Sequence, residues 1–384
     1  MYNNHFLLFP PDYEYRIYYC RRLYTIILIC TLCFSNFVAK AQATPPIKIG
    51  IAGLSHDHVN WIFNTQKERQ FVISGIAEPN RALAKKYSER YNFPMSLVFS
   101  SLEEMVDSTK PSAVTAFGSI YSHLNVVEIC APRGIHVMVE KPLAVNKKHA
   151  NKMKKLAKKN NIHLITNFET TWYASNHKAY HTIVEQKQYG QIRKIIVRDG
   201  HRGPREIGCS EEFLQWLTDP VLNGGGAIVD FGCYGANLAT WFMKNEKPIS
   251  VTALTQQMKP EIYPNVDDEA TILLEYTGVQ VIIQASWNWP ISRKDMEIYG
   301  ERGVFIAHNS TDIEFGNTYP LVKKTLPARE HPNSNPFSYL TAIIRGDIKI
   351  HDLDLSSLAN NLIVVEILDA ARKSAATGKK VYLK

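Results

Sequence analysis

Ile47-Lys48-Ile49-Gly50-Ile51-Ala52-Gly53-Leu54-Ser55-His56-Asp57-His58 is a short apolar, β-branched run that breaks on glycine and leads into a helix-like stretch. A strand that ends this way is the opening unit of a dinucleotide-binding domain. Against the pattern G-x-G-x-x-G, Gly53 holds the first place, Ser55 the second and His58 the third. Serine adds little bulk and brings a hydroxyl able to donate to phosphate. Histidine crowds the place where helix normally packs on strand, so the bare motif is weak and its surroundings must carry the reading.

Outward from this turn the chain alternates strand with helix. Phe71 to Ala77, Val98-Phe99, Ala113 to Phe117, His136 to Val139 and His163 to Thr166 read as strands. Arg81 to Tyr91, Leu124 to Arg133 and a lysine-rich stretch from Lys147 to Lys159 read as the helices between them. This predicts an α/β, doubly wound parallel Rossmann sheet over residues 44–167. Beyond Phe168, strand-like runs such as Lys194 to Arg198, Ser250 to Leu254, Thr271 to Tyr276 and Val279 to Trp287 are joined by short turns. That texture predicts an α+β domain with a large, mostly antiparallel sheet over residues 168–384, closed by a helix from Leu355 to Ala376. Its open sheet offers a face for a homo-oligomer, dimer or tetramer.

Residues 1–41 stand apart. Arg21-Arg22, an apolar run from Leu23 to Phe34 and the small-x-small site Ala39-Lys40-Ala41 have the layout of a signal peptide. Export, most simply to a periplasm, is the expectation, with no membrane span left after cleavage. Cleavage removes four Lys/Arg and two Asp/Glu, so the net charge falls from +8 to +6. Much of the excess lies on the lysine-rich helix, a solvated face without interleaved aromatic residues, which gives nucleic-acid binding no support. Cys130, Cys209 and Cys233 remain, an odd and scattered set that forms neither a disulfide framework nor a zinc pair. His56 and His58 are of the type metals prefer, but no third ligand is evident, and no metal is expected. Glu78, ending the second strand, is placed to grip ribose hydroxyls, which favours NAD; Arg81 nearby leaves NADP open.

Further runs add a resemblance. Gly118-Ser119-Ile120-Tyr121-Ser122-His123 is a small-residue turn ending in histidine. Gly134 to Ala144 contains Glu140-Lys141-Pro142, and Gly224-Gly225-Gly226-Ala227-Ile228-Val229-Asp230-Phe231-Gly232-Cys233-Tyr234 follows later. Together these resemble the Gfo/Idh/MocA oxidoreductases over residues 46–384. The resemblance implies that Lys141 lies beside the nicotinamide and the reacting hydroxyl, often before a cis proline bond. It also implies that Asp230 and Tyr234 are the aspartate and proton-transferring residue of the family. Tyrosine rather than histidine at the last position is the glucose-fructose oxidoreductase-like variant.

The residue chemistry fits. Moving hydride between a secondary alcohol and a nicotinamide requires a group to handle the hydroxyl proton. A phenol with an ordinary pKa near 10 is a poor base unless a cation such as Lys141 favours its phenolate. The catalytic set expected is therefore Lys141, Tyr234 and Asp230. Gly53, Ser55, His56, His58, Glu78, Gly118, His123, Glu140 and Lys141 are expected to meet the cofactor. Trp172, Tyr173, Arg202, Asp230, Tyr234 and Lys141 are expected to meet a small carbohydrate, and His201 follows the same strand as Arg202. The function expected is an NAD-dependent oxidoreductase acting on a sugar or polyol. Two alternatives stay open: a glycosidase that oxidises its sugar transiently with recycled NAD, and a non-enzymatic nucleotide- or sugar-binding sensor.

Overall fold

The structure is a computed structural model that describes residues 45–65 and 70–383. The expected targeting segment lies outside them. Six strands form the first sheet: β1 (Ile47–Ala52), β2 (Phe71–Ala77), β3 (Val98–Phe99), β4 (Ala113–Ala116), β5 (His136–Glu140) and β6 (Leu164–Asn167). They are all parallel and lie in the order β3-β2-β1-β4-β5-β6. Parallel strands are covered by helices on both faces, which is why β4 is wholly buried and β1 buried over its last four residues. The direction of winding reverses between β1 and β4, and ligands of such sheets bind beyond the strand ends at that point.

Local sequence sets the helix starts. Asn80 caps the helix Arg81–Tyr91 by accepting from the amides of Ala82 and Leu83, and Asn146 caps Lys147–Lys159 through the His149 amide. On the latter helix Ala150, Met153 and Ala157 face the core, and Lys147 and Lys152 pair outward with Glu366 and Glu128.

The second sheet holds nine strands: β7 (Ile192–Gly200), β8 (Ser250–Gln256), β9 (Glu269–Tyr276), β10 (Val279–Ser286), β11 (Arg293–Gly300), β12 (Val304–Ala307), β13 (Asp312–Gly316), β14 (Val322–Thr325) and β15 (Val381–Tyr382). Their order is β14-β13-β12-β11-β7-β10-β9-β8-β15, antiparallel except where β7 runs beside β10. Strands β13 and β14 lie beyond those read from the sequence; β14 is exposed throughout and carries no alternating apolar signal.

The two sheets do not partition the chain cleanly. The helix Pro336–Arg345 brings Phe337, Leu340 and Ile343 into the core of the first sheet. The helix Leu358–Thr377 packs on β8 of the second sheet and on β6 and the lysine-rich helix of the first. From it Arg372 donates to the carbonyls of Val145 (2.8 Å) and Gly224, and Asp369 accepts from the Lys147 amide at 2.8 Å. No described helix is long and apolar enough to cross a membrane.

Candidate active site

Two clefts open where the strands end. The first, about 600 Å³, lies at the carboxyl ends of β1, β2 and β4 and is lined by Gly53, Ser55, Glu78, Gly118, Ser119 and Trp216 among others. Gly53 has φ +82°, and a Cβ there would stand 3.1 Å from the Gly118 amide nitrogen, so only glycine lets the two turns approach. The Ser55 hydroxyl accepts from the Trp216 indole at 3.2 Å, which leaves its own O–H to donate. Glu78 accepts from the amides of Leu54 (2.9 Å) and Asn80 (2.8 Å), which hold its carboxylate at the strand end. Burial nonetheless pushes its pKa up. No lysine, arginine or histidine is among the described residues lining this cleft; Arg81 instead turns to the Val98 carbonyl. These features fit an NAD molecule: a glycine turn for close approach, a hydroxyl for phosphate and an acid for the ribose.

His56, His58, His123, Glu140 and Lys141, expected at the cofactor, do not line the cleft. The crowding expected at His58 is relieved because its ring turns onto Trp61, with centroids 3.8 Å apart, and its Nδ1 meets Glu140 Oε2 at 3.0 Å. His56 is buried against Phe213 and Trp216, and burial drives its pKa well down. His123 is also buried, its Nδ1 on the Leu143 carbonyl at 3.2 Å and its pKa pushed down to about 4 by burial. For Glu140, burial opposes ionisation, but the charge and hydrogen bond of His58, with His56 and Asn167, hold its pKa at about 2.

One expectation needs correcting here. A third metal-ligand type does stand beside His56 and His58: it is Glu140, and the three ligand atoms lie within 4.8 Å of one another. The hydrogen bonds argue that this trio is a proton-tied network. His56 Nδ1 accepts from the His58 amide at 3.1 Å, so its Nε2, 4.0 Å from Glu140 Oε2, carries the hydrogen. A metal-bound nitrogen must be bare.

Lys141 follows directly from β5, with a cis bond to Pro142. It is 5% exposed and donates to Asp230, to the carboxylate and, at 3.1 Å, to the carbonyl. Asp230 also accepts from the Trp287 indole at 3.0 Å. Burial works against both charges, yet each ion outweighs it for the other: the Lys141 pKa is raised and that of Asp230 lowered. The glycine run before Asp230 has its own reason. A Cβ on Gly226 would fall 1.7 Å from the Asp267 carbonyl oxygen, so the turn that presents Asp230 requires glycine.

Tyr234 stands close by, with Lys141 Nζ 5.2 Å from its ring centroid. The expected phenolate does not follow. Burial above all, with Glu169, Asp199, Cys233 and Asp230 nearby, pushes the Tyr234 hydroxyl well above its ordinary value, and the Lys141 charge beside it is paired with Asp230.

A second ammonium faces the same ring, one that the sequence reading missed. Lys294 Nζ on β11 lies 4.4 Å from the Tyr234 centroid and donates to Glu169 at 2.7 Å. It lines the second cleft, about 490 Å³, with Glu169, Tyr173, Asp199, His201 and Phe231. Tyr173, expected at the substrate, is there, its hydroxyl donating to Glu169 at 2.6 Å. Arg202 is not: it is exposed and outside the cleft lining, and its neighbour His201 lines the cleft instead. Trp172 packs on Tyr339 and donates to Asn167 at 3.1 Å, so it serves the core. Asp199 and Lys294 had a legible signal. They continue the inward series Ile195, Val197, Asp199 on β7 and Lys294, Met296, Ile298 on β11, where a charge has no structural reason to stand.

The comparisons with known proteins agree with this geometry. Residues 47–168 match the oxidoreductase family with an NAD-binding Rossmann fold, and residues 177–306 match the GFO/IDH/MocA C-terminal domain. Trans-1,2-dihydrobenzene-1,2-diol dehydrogenase of Xenopus laevis is 25% identical over 308 residues, 78% of this chain and 88% of that one. Aldose-aldose oxidoreductase of Caulobacter crescentus, solved with glycerol, superposes with a TM-score of 0.75 at 19% identity, over 88% of this chain and 100% of that one. An inositol dehydrogenase homologue of Azotobacter vinelandii, solved with NAD+, gives 0.75 at 16% identity, over 89% and 98%. The chain belongs to the Gfo/Idh/MocA oxidoreductases and is an NAD-binding enzyme of that kind.

Proposed function

We propose that this Gfo/Idh/MocA oxidoreductase moves hydride between NAD and a secondary alcohol of a sugar or polyol, outside the cytoplasm. The buried Lys141–Asp230 pair carries the reading, because it sets an oriented ammonium at the end of β5 with the Tyr234 phenol beside it. Gly53, Ser55, Glu78 and Gly118 would hold the nucleotide, and the absence of a cation among the described lining residues favours NAD over NADP. When bound, the nicotinamide supplies or takes the hydride. Lys141 holds the substrate oxygen, its orientation fixed by Asp230. Tyr234, kept protonated by burial, gives a proton to a carbonyl oxygen in the reducing direction.

The relatives support a hydroxylated substrate, and the signal-like residues 1–41 support export. The outer face of the second sheet, with Leu254, Leu273 and Val322 exposed, supports a homo-oligomer. The test is to release and identify nucleotide from natively purified protein, then follow NADH on aldoses and polyols. Protein that carries no nucleotide and binds no added NAD rules the reading out.

A further inference from the structure

The second cleft contains an acid that the chemistry above does not use. Asp199 is 2% exposed, lines the cleft, and its Oδ2 has no hydrogen-bond partner among the described residues. A buried carboxyl oxygen without a partner is costly unless something binds it. Directly opposite in the β7–β11 register is Lys294, its Nζ 3.8 Å from that oxygen. Lys294 spends one N–H on Glu169 and has two more to give.

We propose that Asp199 and Lys294 form a cradle that grips neighbouring hydroxyls of a neutral polyol in the second cleft. Asp199 gives a hydrogen bond through its own O–H and Lys294 gives one through a remaining N–H. The groups around Asp199 agree with its being protonated. Burial favours the neutral acid most, Glu169 and Asp230 add to it, and Lys294 and Lys141 only partly oppose them. Tyr173, Tyr234 and Cys233 also face it, each with a raised pKa and so neutral.

A neutral ligand follows from the lining as a whole, in which His308 also stands against Glu314 at 3.3 Å. Lys294 is met by Glu169, and Arg293 is met by Asp295 at 2.7 and 3.0 Å. His201 is held neutral by burial, its pKa pushed down to about 4. A ligand carboxylate or phosphate would have to compete with carboxylates already in place.

The assignment deepens the reading above, but its experiment does not need hydride transfer. Glycerol, the smallest vicinal triol, removes ring stereochemistry from the question. Its saturable binding to the full chain is followed by saturation-transfer NMR, with glycerate as the charged comparator. Asp199→Ala and Lys294→Met are each expected to weaken glycerol at least about fivefold, and Asp199→Asn, which keeps a donor, to stay within about twofold. Wild-type binding should weaken as pH rises through the Asp199 titration, and Asp199→Asn should lose that limb. Glycerol binding that is absent in the wild type or unchanged in Asp199→Ala overturns the cradle, and glycerate binding tighter than glycerol overturns its neutrality. If the variants behave as expected but no sugar reduces NAD, the cradle stands and the hydride-transfer reading falls.

Discussion

The two clefts are built from opposite materials. The first is walled chiefly by small residues of the turns that follow its strands, Gly53, Ser55, Gly118 and Ser119 among them, with Glu78 as its anchored acid. Glu212, Trp216 and Leu222 close it from the second half of the chain. The second is walled by charged side chains drawn from segments more than a hundred residues apart, Glu169 and Lys294 among them. A nucleotide of fixed shape is met by backbone geometry, which few residue types permit. A substrate that differs between relatives is met by side chains, which are free to change while the sheet stays. Lys294 lines the second cleft and Lys141 lines neither, yet their ammonium groups come within 4.4 and 5.2 Å of the centroid of the same Tyr234 ring.

Substitutions sharpen this contrast. Lys141→Met is expected to lower kcat by about a thousandfold, near 4 kcal/mol, with NAD affinity little changed. Full activity in that variant would place the chemistry elsewhere, and Lys294 would be the next residue to examine. Asp230→Ala leaves the Lys141 charge buried and unmatched, so about 3–5 kcal/mol of stability should be lost in urea unfolding. A change below 1 kcal/mol would mean that the pair is not desolvated as the structure has it.

Glu140 gives a pH signature. Its folded pKa of about 2 lies below the ordinary 4.5, so its contribution of about 3 kcal/mol is complete above that ordinary value. It is then lost as the pH falls toward 2. Glu140→Gln should flatten this acid limb while leaving glycerol binding in the second cleft unaffected. The smallest effect expected is at the ribose. Glu78→Ala should weaken NAD about tenfold, near 1.4 kcal/mol by equilibrium titration, and weaken NADP less. Equal losses for both nucleotides would remove Glu78 from the choice between them.

The same contrast explains what was legible in the sequence. Gly53, Glu78, Lys141 and Asp230 sit at strand ends or in glycine turns, where backbone constraint leaves a local mark. The doubly wound order was legible for the same reason, since apolar runs and caps are local. The state of Tyr234 was not, because its burial and the acids around it are assembled only by the fold, which also pairs Lys141 with Asp230, 89 positions away. Glu140 likewise became a third partner of His56 and His58 only through the sheet, across 82 residues. Lys294 and Asp199 left a periodic trace, but a charge in an inward series gains its meaning only when the register sets the two strands side by side.

The helix Leu358–Thr377 carries a mechanical consequence. It rests on both sheets, and Arg372 reaches from it to a carbonyl after β5 and to one in the glycine turn before Asp230. Parting the sheets like a jaw would break those bonds and expose buried helix surface together. Opening of the clefts is therefore cheaper through loop displacement at their rims than through a hinge between the sheets.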